Sequence, residues 1–238
     1  MIVHSHAIDC TRRRATLRTA LCSALGALLL AAGPALAQRS GSGQAEAKPQ
    51  PGAKDSTILV LGDSLSAEYG LARGSGWVAL LEQRLSQQKR HAQVINASIS
   101  GETTSGGRAR LPALLQTHRP THVVIELGGN DALRGFPLRM TEDNLTAMVR
   151  ASQDAGARVL VVGMAVPPNY GKRYAEDFTR VFGTVATQRK AALVPFLLKD
   201  VADRPDAREW FQADGIHPLA KAHPIMLDHV WAGLKPLL

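Results

Sequence analysis

Short apolar runs alternate along this chain with longer segments whose apolar positions recur at helical spacing. The runs are TILVLGD (57–63), AQVINAS (92–98), THVVIELGG (121–129), ARVLVVGM (157–164) and ALVPF (192–196). Between and after them come WVALLEQRLSQQ (77–88), RARLPALLQTH (108–118), TEDNLTAMVRASQDAG (141–156), EDFTRVFGTVATQRK (176–190) and LDHVWAGL (227–234). The Val-, Ile- and Leu-rich runs are apolar on both faces, as strands of a parallel sheet are when helices cover both sides. This alternation predicts an α/β protein: a three-layer α/β/α domain around a five-stranded parallel sheet with right-handed crossovers.

Open parallel sheets take ligands beyond the carboxyl ends of their strands. The first run is followed by Gly62-Asp63-Ser64-Leu65-Ser66, the second by Ser98-Ile99-Ser100-Gly101-Glu102-Thr103, and the third by Gly128-Gly129-Asn130-Asp131. All three are small or polar, and all are expected at one rim of the sheet.

The first 37 residues lack this alternation. A basic stretch, TRRRATLR, precedes the apolar ALCSALGALLLAAGPALA, which ends in Ala-Leu-Ala, the pattern of a signal peptide cleaved after Ala37. Ser23, Gly26, Gly33 and Pro34 interrupt the apolar run, which disfavours a transmembrane anchor, so no stable anchor is expected after cleavage. Residues 38–56, rich in Gly, Ser, Pro, Ala and Gln, read as a flexible linker. The remainder, 57–238, is long enough for one domain with a sizeable core.

Both cysteines, Cys10 and Cys22, belong to the signal segment. The mature chain therefore offers no disulfide, thiolate nucleophile or cysteine metal site, and its chemistry must use oxygen and nitrogen side chains. Without the signal, 24 Lys and Arg face 19 Asp and Glu, a formal charge of +5. Those cations are scattered without interleaved aromatics, so nucleic-acid binding is not expected.

Four fragments carry candidate chemistry. Ser64 follows a strand end, where it is either a helix or turn cap or, given a base, a nucleophile. Gly101 is either a turn glycine or a backbone N–H donor left accessible to an oxyanion. Asn130 is either a cap or a side-chain donor to that oxyanion, and Asp131 is suited to orienting the loop. Late in the chain QADGIHPLA (212–220) sets Asp214 three residues before His217, with Gly215 permitting a bend and Pro218 expected to start the last helical segment. The remaining histidines of the domain show no ligand-like clustering, and His118 and His122, separated by Pro120, read as surface or helix-end residues. No metal and no cofactor are expected. The Gly-x-Ser-x-Gly nucleophile elbow is absent at Ser64, which disfavours an α/β-hydrolase fold.

Taken in order, GDSLS, ASISGETT, LGGND and DGIHP resemble the four marker blocks of the SGNH, or GDSL, hydrolase superfamily. LGDSLSAEYG, VINASISGETT, RLPALL, ELGGNDALRGF and NYGKRY bring the resemblance closer to its bacterial periplasmic thioesterase I, arylesterase and lysophospholipase group, over nearly all of 57–238. The resemblance implies a flavodoxin-like SGNH hydrolase fold. It also implies Ser64 as nucleophile, His217 as general base and then acid, and Asp214 as the residue holding the imidazole. The N–H groups of Ser64 and Gly101 and the Asn130 amide would form the oxyanion hole. Leu133, Phe136, Pro167, Asn169 and Tyr170, on the loops after the third and fourth strands, are the candidate substrate-binding residues.

The resulting expectation is a periplasmic or secreted serine esterase acting on small acyl ester, thioester or lysophospholipid substrates. Two alternatives remain at this point: a carbohydrate O-acetylesterase with the same triad, and a non-catalytic module using the Ser64 loop as an anion cradle. Acyl preference, oligomeric state and the route of export are left open by the sequence.

Overall fold

A computed structural model describes residues 56–238. The signal peptide and nearly all of the linker inferred above lie outside the described residues. Five strands, β1 (Ser56–Gly62), β2 (Ala92–Asn96), β3 (His122–Glu126), β4 (Arg158–Val162) and β5 (Ala192–Val194), form one sheet in the order β2-β1-β3-β4-β5. Every neighbouring pair is parallel, with Leu59 opposite Ile95 on one side and Val123 on the other. Ser56 already pairs with Ala92, so the domain begins one residue earlier than the composition of the linker suggested.

Six helices complete the fold: α1 (Trp77–Gln87), α2 (Thr104–His118), α3 (Gly129–Leu133), α4 (Leu138–Asp154), α5 (Lys172–Arg189) and α6 (His223–Leu234). α1 packs with α6 over one face, and α2, α4 and α5 form the other layer. The sheet between them is dry. Ile58, Leu59, Val60 and Leu61 of β1 and Val123, Val124 and Ile125 of β3 are completely buried. Burying one such side chain contributes about 1.5–3 kcal/mol, so the two central strands are the strongest local determinant of the fold. No helix among the described residues is long and apolar enough to cross a membrane.

Chain direction switches between β1 and β3, because the chain leaves β1 toward β2 on one side and returns to β3 on the other. At such a point the loops diverge and leave a crevice at the carboxyl ends of the strands. Ser64 follows β1 and Asn130 follows β3, so both border this crevice.

One sequence expectation fails here. Pro218 does not start the last helix: it forms an isolated antiparallel bridge with Phe211, and α6 begins at His223 with Pro224 in its first turn. The backbone N–H of Gln212 donates to the His217 carbonyl (2.8 Å), so the tight loop expected around Gly215 closes as a hairpin that takes in Pro218.

Candidate active site

The backbone turns sharply after β1. The N–H groups of Ser66 and Ala67 donate to the Asp63 carbonyl, and the Asp63 side chain accepts from the Leu65 N–H at 3.0 Å. Asp63, not Ser64, therefore supplies the cap for this turn. Ser64 is left free to present its hydroxyl to the crevice.

His217 reaches that hydroxyl from the hairpin 211–218. Its Nε2 lies 2.9 Å from Ser64 Oγ, and its Nδ1 lies 2.7 Å from Asp214 Oδ2. The carboxylate can only accept, so Nδ1 carries a hydrogen and Nε2 of the neutral ring is left as the acceptor for the serine proton. Asp214 Oδ1 also accepts from the N–H groups of Ile216 (2.9 Å) and His217 (3.0 Å). The His217 backbone bond, then the imidazole and the Ile216 bond, lower the Asp214 pKa to about 2. Gly215, at φ +68°, takes the left-handed conformation that lets one short loop turn the acid back onto its own histidine.

Neighbouring contacts hold the hairpin over Ser64. Gln212 Nε2 donates to the Tyr69 carbonyl (2.9 Å), tying the hairpin to the loop after β1. The residues flanking the hairpin meet as well: the Leu219 N–H donates to the Trp210 carbonyl (2.8 Å), and the Trp210 ring lies 4.4 Å from the Arg204 guanidinium carbon and 4.8 Å from Lys221 Nζ. Cations against an indole face contribute about 0.5–1 kcal/mol each where they are exposed.

Two other loops border the serine. The N–H groups of Ser64 and Gly101 have no acceptor among the described residues, and Gly101 O accepts from Arg134 at 2.9 Å. One Asn130 amide hydrogen goes to Asp63 Oδ2 (3.0 Å), leaving the other available. Asp131, fully buried, accepts from the Thr104 N–H (2.9 Å), from the Thr104 hydroxyl and from Thr141 (3.3 Å). It thus joins α2 and α4 to α3, the short helix that carries Asn130 itself.

A cavity of about 480 Å³ is lined in part by Gly129, Gly215 and Ile216, the chain neighbours of Asn130 and His217. Its walls are mostly apolar: Met164, Ala165, Val166, Phe196, Leu198 and Phe211 contribute. Of the five residues expected to bind substrate, Leu133 and Pro167 line it. Phe136, Asn169 and Tyr170 do not. Tyr170 lies against Tyr174 instead, with ring centroids 6.2 Å apart. The contribution of 196–211 was missed because that stretch has neither strand nor helix periodicity; its one signal is the apolar VPFLL that runs past β5. A second cavity, about 550 Å³, lies by Ser56, Arg90 and His91 at the opposite end of the strands and touches none of these residues.

His122 corrects the reading of the spare histidines. It is buried in β3, with Nε2 2.7 Å from the Leu237 carbonyl and Nδ1 2.8 Å from the Thr121 hydroxyl, and burial lowers its pKa. It fastens the C-terminus to the sheet. No group of three or more metal-ligating side chains occurs among the described residues.

A serine and histidine joined across a flavodoxin-like switch point, with an Asp-x-x-His hairpin, define a class of acyl hydrolase. Residues 60–225 match the GDSL-like Lipase/Acylhydrolase family, and the chain belongs to it. It is 53% identical over 182 residues to "Esterase TesA" of Pseudomonas aeruginosa, covering 76% of this chain and 89% of that protein. It is 42% identical over 182 residues to "Thioesterase 1/protease 1/lysophospholipase L1" of Escherichia coli K12, covering 76% and 85%. The crystal structure of TesA superposes with a TM-score of 0.73 at 53% identity, covering 76% of this chain and 99% of that one.

Proposed function

We propose that this protein is an exported serine esterase that cleaves acyl esters and thioesters, lysophospholipids included, through an acyl-enzyme on Ser64. The observation that carries the reading is the continuous hydrogen-bonded series from Ser64 Oγ through His217 to Asp214 beside an apolar cavity. Relatives named as an esterase and as a thioesterase and lysophospholipase support the substrate class.

In this mechanism Nε2 of His217 takes the serine proton as Oγ attacks the acyl carbon. The carbonyl π electrons move to oxygen, and the Ser64 and Gly101 N–H groups and the free Asn130 N–H stabilise the resulting oxyanion. Donors placed for that charge lower the barrier more than they favour the substrate. Imidazolium then protonates the departing alcohol or thiol as the oxyanion collapses to the acyl-enzyme. Water, deprotonated by the same nitrogen, repeats the sequence and releases the acid. Asp214 remains ionised throughout, since its carboxyl is held near pKa 2. The acyl chain occupies the 480 Å³ cavity. Residues 1–37 direct export to the periplasm or beyond and leave no anchor behind.

Hydrolysis of p-nitrophenyl esters and acyl-CoA thioesters of graded length tests this reading. kcat/KM should climb from acetate toward medium chains, because each buried methylene contributes at most about 0.8 kcal/mol, nearly fourfold. Strong preference for acetate, no thioester cleavage and fast deacetylation of acetylated sugars would replace it with a carbohydrate esterase.

A further inference from the structure

Two carboxyl groups are buried directly beneath Ser64, and acyl transfer as described above uses neither. Glu126, the last residue of β3, is completely buried, and Asp63 is 3% exposed. Glu126 Oε2 accepts from the Ser66 hydroxyl (2.7 Å) and the Asp63 N–H (3.3 Å), and its Oε1 is buried without a partner. Asp63 Oδ1 accepts from the Leu65 N–H, and its Oδ2 from the Asn130 amide. Gly62, paired with Glu126 across the sheet, makes room for this arrangement. A Cβ there would lie 2.6 Å from Ser66 Oγ and 2.8 Å from Glu126 Oε2.

No Lys or Arg among the described residues pairs with either acid. The titratable group that faces the pair is His217, on the Asp63 side, and it becomes cationic only when it takes the serine proton. Two adjoining carboxylates in a dry site with no cation do not both ionise. Asp63 accepts two N–H bonds and faces His217, so the single negative charge belongs there. Protonation of Glu126 also turns the unpartnered Oε1 from part of a buried anion into a neutral group, removing the larger burial cost.

We propose that Glu126 is the neutral acid of this pair and a positioning residue for the oxyanion side of the site. It holds the Ser64 turn through Ser66 and the Asp63 N–H, and it leaves one charge on Asp63 to orient the Asn130 amide. This inference rests on the acyl-transfer reading above. Because Asp63 only accepts, Nδ2 of Asn130 must face it, and the second amide hydrogen is aimed away toward the forming oxyanion. One anion beneath the site complements the imidazolium that forms during turnover. A second would oppose the oxyanion. Burial, followed by the nearby Asp63 charge, raises the Glu126 pKa well above the carboxylate range, and burial raises Asp63 to about 6.

Glu126→Gln preserves shape, neutrality and an acceptor oxygen, whereas Glu126→Leu removes the acceptor. On p-nitrophenyl butyrate, the Gln variant should keep kcat within about twofold at neutral pH and should lose the alkaline fall in kcat that ionising Glu126 imposes on the wild type. The Leu variant should lose roughly tenfold in kcat at unchanged KM, part of the ~10²–10³ that an oxyanion donor supplies. Infrared difference spectra of the wild type between neutral and alkaline pH should contain a protonated-carboxyl C=O band that Glu126→Gln lacks. A wild type without that band, or an alkaline fall identical in Glu126→Gln, overturns the proposal. The band is read on the wild type even if both variants fail to fold. Should the acyl-transfer reading itself be wrong, fluorophosphonate would not label wild-type Ser64, a result independent of Glu126.

Discussion

The Tyr69 ring lies against the His217 imidazole, with centroids 4.3 Å apart and planes inclined by 39°. Tyr69 is half exposed, so this contact covers one face of the histidine without closing the site. Ring pairs of this kind contribute about 0.5–1.5 kcal/mol beyond area burial. Tyr69→Ala should therefore lower the rate of fluorophosphonate labelling about two- to tenfold with little change in Tm, while Tyr69→Phe should behave as wild type. Stopped-flow labelling of the three proteins checks it.

Asn130 separates a chemical role from a merely structural one. If its free N–H meets the oxyanion, Asn130→Ala should lose about 10²–10³ in kcat, whereas losing a cap costs about 1 kcal/mol of stability with little effect on chemistry. Steady-state kinetics with a parallel melting curve distinguishes the two. An earlier melt with normal turnover would return Asn130 to the role of a cap.

The central strands and the order of the marker loops were legible because they rest on local signals: uninterrupted Val, Ile and Leu in β1, β3 and β4, and small polar residues immediately after. Helix starts were less legible. α2 begins at Thr104, four residues before the periodic segment, through Ser105, Gly106 and Gly107, none of which marks an apolar face. Gly107 is nonetheless under Leu127, where a Cβ would approach the Leu127 methyl to 2.3 Å. Packing of that kind has no local signature. The Asp63–Glu126 pair was invisible for a similar reason: a Glu closing an apolar run reads as a polar rim residue until the sheet register places it beside Gly62. The inner wall of the cavity comes from irregular chain after β5, which periodicity cannot resolve.

That wall revises which residues should set acyl preference. Phe196→Ala should lower kcat/KM on p-nitrophenyl octanoate by roughly tenfold or more, since aromatic burial is worth several methylenes at about 0.8 kcal/mol each, and leave acetate nearly unchanged. Tyr170→Ala, outside the cavity, should leave the chain-length profile intact. A profile flattened by Tyr170→Ala and not by Phe196→Ala would place the acyl chain in the other loop.

Stability should depend on pH through His223. Its Nδ1 accepts the first N–H of α1, from Trp77 (3.0 Å), where Gly76 offers no side-chain cap. Burial lowers its pKa from 6.5 to about 4, against partial opposition from Glu68. The unfolded chain thus binds the extra proton first, so this contribution is complete above pH 6.5 and is lost as pH falls through about 4. The shift corresponds to up to about 3 kcal/mol. Urea unfolding from pH 7 to pH 4 should show a shallower decline in His223→Gln than in the wild type. The opposite contribution of Asp63, raised to about 6, is common to both proteins and cancels in the comparison. Equal slopes would remove His223 as the cause.

The covalent step on Ser64 is the centre of the account, and mapping the adduct tests it most directly. After treatment with a fluorophosphonate, peptide mass spectrometry should locate a single adduct on Ser64. Ser64→Ala should fold normally, take up no label and lose several orders of magnitude in kcat, on the scale of the roughly 10⁶ measured for a subtilisin triad. Labelling that persists in Ser64→Ala, or an adduct on any other residue, would contradict the account.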